Sequence, residues 1–194
     1  MPWHHEIWSR LSEARRRNQL GHALLFRGRA GFGKRALADA LVASLLCEAP
    51  THFACGSCRG CALRTAGTHP DFFHAAPEEP GKALQVDRIR SLSQYFALRP
   101  HYGGHKLALI APADAMNRAA ANALLKLLEE PPDGSVILLV ADRAERLPAT
   151  VRSRCQQFIL DRAPVAELLQ WQGLSGSLAE KAEALARAGG SPLL

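Results

Sequence analysis

No apolar stretch in this sequence approaches the roughly 18 uncharged residues that span a bilayer, which excludes a transmembrane helix. The opening Met1-Pro2-Trp3-His4-His5-Glu6 lacks the basic-then-apolar order of a secretory signal. Internal repeats and low-complexity tracts are also missing, so neither a repeat array nor a long disordered linker is expected. These absences lead to the expectation of a soluble, cytoplasmic, globular protein. Negative charge is the scarcer sign: 18 Asp and Glu stand against 24 Lys and Arg, a net charge of +6. A basic surplus suits phosphate-bearing partners, yet a basic surface without any ligand has the same composition. The one dense basic run, Arg15-Arg16-Arg17, sits in an N-terminal stretch of amphipathic helical spacing and reads as a solvated face.

What is present is enough for one medium domain and the beginning of a second: 194 residues, 47% hydrophobic and 22% charged. Short apolar runs at 22–26, 71–74, 107–111, 136–140 and 157–160 alternate with helical spacing at 35–46, 86–96 and 117–130. Pro131-Pro132 stops the last of these helices, because proline cannot continue the hydrogen-bond ladder. Buried-type strands alternating with helices predict an α/β fold with a mainly parallel sheet covered on both faces. The pattern changes at Asp161-Arg162-Ala163-Pro164, after which two short helices are predicted around Gly173-Leu174-Ser175-Gly176. Residues 1–163 therefore read as the α/β domain, and 164–194 as the start of a small helical domain.

The first strand runs into Gly28-Arg29-Ala30-Gly31-Phe32-Gly33-Lys34, a GxxxxGK phosphate loop followed by a helix. In such a loop Gly28, Gly31 and Gly33 let backbone N–H groups converge on phosphate oxygens, and Lys34 neutralises the β and γ positions. The next residue should be Ser or Thr, whose hydroxyl ligates Mg²⁺, but it is Arg35. The strand at 107–110 should end in one or two carboxylates that hold magnesium and position water; it ends in Ala111-Pro112. Asp114 is the nearest acid. Loss of the Mg²⁺ site argues against hydrolysis. ATP or ADP binding without turnover stays open through Lys34, and so does a loop that is only a tight strand-to-helix turn.

Four of the five cysteines, Cys47, Cys55, Cys58 and Cys61, fall within fifteen residues, while Cys155 stands apart. Four thiolates at this spacing suit tetrahedral Zn²⁺, with Gly56 and Gly60 expected to make the close turns between ligands. Four sulfurs close the coordination shell, so the expected role is structural. His52 is the only nearby substitute ligand.

Taken in order, His22-Ala23-Leu24-Leu25-Phe26, the loop 28–34, the inserted cysteine module, Asn122-Ala123-Leu124-Leu125-Lys126-Leu127-Leu128-Glu129-Glu130-Pro131-Pro132 and Ser153-Arg154-Cys155 resemble the bacterial clamp-loader AAA+ subunits. The resemblance covers essentially the whole chain. It implies an AAA+ P-loop domain with an inserted zinc module, the beginning of a lid, and absence of the family's collar-forming third domain from these residues. Two kinds of subunit share this plan: a hydrolysing gamma/tau motor, and a subunit with a degenerate site that donates an arginine finger. Arg35 in place of Thr and Ala111-Pro112 in place of Asp-Glu side with the second kind. So do the missing sensor threonines in Leu138-Leu139-Val140-Ala141-Asp142 and Leu193 at the place of a sensor arginine.

By that resemblance Arg154 would reach a neighbour's ATP site and Cys155 would be a small buried residue. The partners implied are gamma/tau and delta subunits, with the beta sliding clamp and primed DNA met through the complex. Two rivals remain: an active ATPase using Asp114, and a zinc-centred nucleic-acid module using Arg59 and Arg64.

Overall fold

The computed structural model describes residues 1–102, 104–162, 164, 169, 177–188 and 193. Helix α1 (His5–Arg16) precedes strand β1 (Ala23–Arg27), α2 (Lys34–Leu46) and α3 (Arg59–Thr65). Then come β2 (Phe72–Ala75), α4 (Val86–Phe96), β3 (Lys106–Ile110) and α5 (Arg118–Glu129). Strand β4 (Ser135–Ala141), α6 (Ala149–Arg152), β5 (Gln156–Ile159) and α7 (Leu178–Arg187) follow. The five predicted strands and three predicted helices are all present.

The sheet has the order β2-β3-β4-β1-β5, and every pairing is parallel. Side chains alternate between its faces, as the two-residue strand repeat requires. Leu25, Ile110, Ile137 and Leu139 pack under α4 and α5 against Ile89, Leu92, Leu124 and Leu128. Leu24, Phe26, Leu109 and Leu138 face the other way, against Trp8 and Leu11 of α1 and Leu37 and Leu41 of α2. Burial on both faces explains why β4 after Ser135 is an unbroken apolar run, Val136 to Ala141.

Asn117 caps α5 by accepting a hydrogen bond from the Ala120 N–H at 2.8 Å, and Pro131-Pro132 follow its end as predicted. Helix α7 matches the second helix expected after residue 176. The domain boundary at 163 and the first of the two expected helices lie outside the described residues.

The basic run differs from the expectation of a solvated face. Arg16 and Arg17 pair with Glu13 at the surface. Arg15 is half-buried and binds the Ser44 hydroxyl and, at 2.8 Å, the Thr51 carbonyl. It ties α1 to α2 and the cysteine module, a contact that no local pattern announces.

Candidate functional site

In a parallel sheet the strand ends that carry side chains toward a ligand lie on one edge, outside the carboxyl termini. The order β3-β4-β1 therefore brings the residues after β1, β3 and β4 together, although they lie far apart in sequence. A cavity of about 510 Å³ opens there, lined among others by Gly31, Gly33, Lys34, Arg35, Ala111, Pro112 and Asp142. Gly33 takes φ +76° as the N-cap of α2, a left-handed conformation that only glycine adopts without strain, and it turns the loop into the helix. Gly31 is also left-handed, at φ +78°. Gly28 sits behind the cavity, where a side chain would collide with the Leu160 carbonyl at the end of β5.

Lys34 is only 3% exposed. Its ammonium lies 2.7 Å from Asp142 Oδ1 and also donates to the Arg29 carbonyl. The cation that a phosphate would meet is therefore matched by a carboxylate from the chain itself. Arg35, where a magnesium-binding hydroxyl was sought, pairs with Asp39 at 2.9 Å and meets His74 Nε2 at 3.1 Å. Burial, then the adjacent Arg35 charge, push the His74 pKa below the usual histidine range. Ala111 and Pro112 form the wall where carboxylates were sought, and Leu193 lines the same cavity with its N–H donating to the Gly31 carbonyl at 3.2 Å.

Asp114 does not line this cavity. It faces the adjoining groove with Arg29 and Arg143, and its Oδ2 accepts the Arg143 backbone N–H at 3.1 Å. The sequence reading missed both carboxylates that do line the cavity. Asp39 was legible as the i+4 partner of Arg35 on one helix; nothing local tied Asp142 to Lys34.

The thiols of Cys47, Cys55, Cys58 and Cys61 lie within 4.8 Å of one another and could hold a metal ion. The Cys58 and Cys47 sulfurs are 3.9 Å apart, close to the ~3.8 Å edge of a tetrahedron with Zn–S bonds of about 2.3 Å. Backbone N–H groups point at the sulfurs: Cys55 N–H at Cys47 Sγ, Cys58 N–H at Cys55 Sγ and Cys61 N–H at Cys58 Sγ, at 3.3, 3.3 and 3.4 Å. Such donors favour thiolates. Those of Ser57 and Cys58 bring Cys55 down to about 6, whereas burial pushes Cys61 up to about 12. A metal would supply the charge that makes four thiolates compatible in one site.

Gly56, at φ +79°, turns between Cys55 and Cys58 as expected. Gly60 does not make a turn. It lies in α3, and any side chain there would strike the Leu46 carbonyl, so its role is close packing of α3 on the end of α2. His52 is not among the clustered ligands; its ring packs on Trp8 and Phe53. Arg59 lies over the Tyr102 ring.

Arg154 follows α6 at the opposite edge of β1 from β4, in the turn leading to β5. Its Nη2 is 2.7 Å from Glu129 Oε1, and its Nη1 donates to the Thr150 carbonyl at 2.9 Å. Cys155 is buried, donates its S–H to the Val151 carbonyl, and has its pKa raised to about 11 by that burial. It stands apart from the four-sulfur cluster.

A family profile described as "DNA polymerase III, delta subunit" matches residues 3–164. The DNA polymerase III subunit delta' of Pseudomonas aeruginosa is 45% identical over 99% of this chain. That of Escherichia coli is 38% identical over 98%. The chain spans 59% and 58% of the length of these two relatives. In three dimensions it is similar to a gamma subunit-related DNA polymerase III protein from Thermotoga maritima, with a TM-score of 0.57 and 22% identity. The alignment covers 91% of this chain and 54% of that one. The fold is that of the AAA+ clamp-loader proteins.

Proposed function

Because the chain belongs to the DNA polymerase III delta family, with delta prime subunits as its similar relatives, we propose that it serves the clamp loader as a non-hydrolysing delta prime subunit. In this reading it sits in a ring with gamma/tau and delta, helps load the beta sliding clamp on primed DNA, and lends Arg154 to a neighbouring gamma/tau ATP site. An arginine supplied in trans stabilises charge on the transferring γ-phosphate and is worth orders of magnitude in rate in other NTPases.

The observation that carries the reading is the state of the phosphate loop. Gly31 and Gly33 keep the left-handed turns of the loop, but Lys34 is neutralised by Asp142, and Arg35, Ala111 and Pro112 offer no side-chain oxygen to magnesium. A subunit with such a loop contributes to hydrolysis only through a neighbour. Asp114 gives little support to an active ATPase, since it faces the adjoining groove rather than Lys34. The cysteine module would carry structural Zn²⁺. Arg59, over Tyr102, makes a poor centre for a nucleic-acid surface.

The test is ATP hydrolysis by the assembled clamp loader, stimulated by clamp and primed DNA, with the full-length subunit either unaltered or carrying Arg154→Ala. A large fall with assembly intact supports the finger. Unchanged turnover reduces Arg154 to a structural residue.

A further inference from the structure

Helix α5 ends on two adjacent acids, Glu129 and Glu130, just before Pro131-Pro132. That is the unfavourable end of a helix for negative charge, because the last carbonyls already carry the negative pole of the helix dipole. Glu130 is exposed to water, whereas Glu129 is offset by the guanidinium of Arg154 at 2.7 Å. The two residues are 25 positions apart in sequence and are brought together by the packing of α5 beside α6.

Arg154 has one long flexible side chain and two fixed anchors. Nη2 is held by the Glu129 carboxylate and Nη1 by the Thr150 carbonyl at 2.9 Å. Among the described residues its remaining N–H groups meet no acceptor, and the side chain keeps 36% of its surface exposed. A planar guanidinium held along one edge presents its other edge in a fixed direction, which is how a fork of donors comes to face a phosphate before the phosphate arrives.

Resting on the proposed role of Arg154, we infer that Glu129 is its positioning residue: the carboxylate sets the orientation in which the arginine meets the neighbour's γ-phosphate. Glu129 itself touches no substrate. Its removal leaves Arg154 held by the Thr150 carbonyl alone and no longer fixed in orientation, so the cost falls on the chemical step and not on nucleotide binding, which the neighbour's own loop supplies.

The experiment is a double-variant cycle in the assembled clamp loader with the full-length subunit, using Glu129→Gln, Arg154→Ala and the pair. Clamp- and DNA-stimulated ATP turnover is read at saturating and limiting ATP, after ring assembly has been measured. The expected result is a fall in kcat of about tenfold for Glu129→Gln, smaller than that for Arg154→Ala, with KM for ATP little changed. In the Arg154→Ala background, Glu129→Gln should have no further effect.

Three results overturn the inference while leaving the finger in place: turnover unchanged or raised by Glu129→Gln, the same fold-loss in both backgrounds, or loss of ring assembly by Glu129→Gln. If Arg154→Ala itself leaves turnover unchanged, the finger reading fails and Glu129 has nothing to position.

Discussion

The ammonium of Lys34 lies 2.7 Å from the carboxylate of Asp142, joining the residue that ends the phosphate loop to the residue that follows β4. Lys34 is almost wholly buried while Asp142 is half exposed, so the lysine depends on the pair more than the aspartate does. Asp142→Ala should therefore strand a buried cation and cost about 1–3 kcal/mol, beyond what the Arg29 carbonyl can offset. Replacing both members, by Lys34→Met with Asp142→Ala, should recover much of that loss. Urea unfolding midpoints of the unaltered protein and the two variants measure it; a double variant no better than Asp142→Ala would show that the pair is not the cause.

The same arrangement predicts that the chain alone turns over no ATP with magnesium above the level of a Lys34→Ala control. Arg35→Thr by itself should not restore turnover, because Ala111 and Pro112 still provide no carboxylate. Phosphate release at saturating Mg-ATP is the measurement, and a rate that depends on Asp114 would reinstate the active-ATPase reading.

The cysteine module should bind ~1 equivalent of Zn²⁺. Cys61→Ser, at one of the two buried corners of the four sulfurs, should abolish binding and lower the melting temperature, whereas His52→Ala should keep the metal. Metal content after gel filtration, with and without a chelator, separates the two; metal lost from the His52 variant would place that ring in the shell.

Gly60→Ala should cost about 1–3 kcal/mol, since a methyl group there presses on the Leu46 carbonyl and forces α3 away from the end of α2. The Gly60 N–H also donates to Glu48 at 3.2 Å, so the displacement should loosen the metal loop as well. Thermal unfolding checks this against Gly67→Ala, where an added side chain meets nothing within 4 Å and only the left-handed backbone resists.

Burial holds His4 below the usual histidine range, opposed by its hydrogen bond with the Phe32 carbonyl at 2.7 Å. The folded state therefore prefers the neutral ring, with Nε2 as donor. Between the lowered folded value and the unfolded value of about 6.5 the unfolded chain binds more protons, so stability should rise with pH across that window and fall on acidification. His4→Gln retains a donor without a titrating ring and should flatten part of the slope. Melting temperatures from pH 4.5 to 7.5 decide it, and an unchanged slope would assign the dependence to His69 or His74, which burial lowers in the same way.

The sequence determined every strand of the sheet, because runs such as Val136–Val140 are too apolar to face water and too short for helices at their spacing. It also determined the phosphate loop and the four clustered sulfurs, whose members are near neighbours along the chain. The lack of a hydroxyl directly after Lys34 and of a carboxylate directly after β3 was legible for the same reason: Arg35 follows Lys34, and Ala111-Pro112 follows its strand. What only the tertiary structure decided were the relations between distant segments. Strand order placed Asp142 beside Lys34, helix packing set Glu129 on Arg154, and Arg15 was drawn from an expected solvated face onto Ser44 and Thr51. Gly60, taken for a turn by its neighbours in sequence, proved to be a packing contact with Leu46. In each case the partner lies at least 14 residues away, beyond the reach of helix or strand periodicity, and the contact follows from how elements stack rather than from what any one of them prefers.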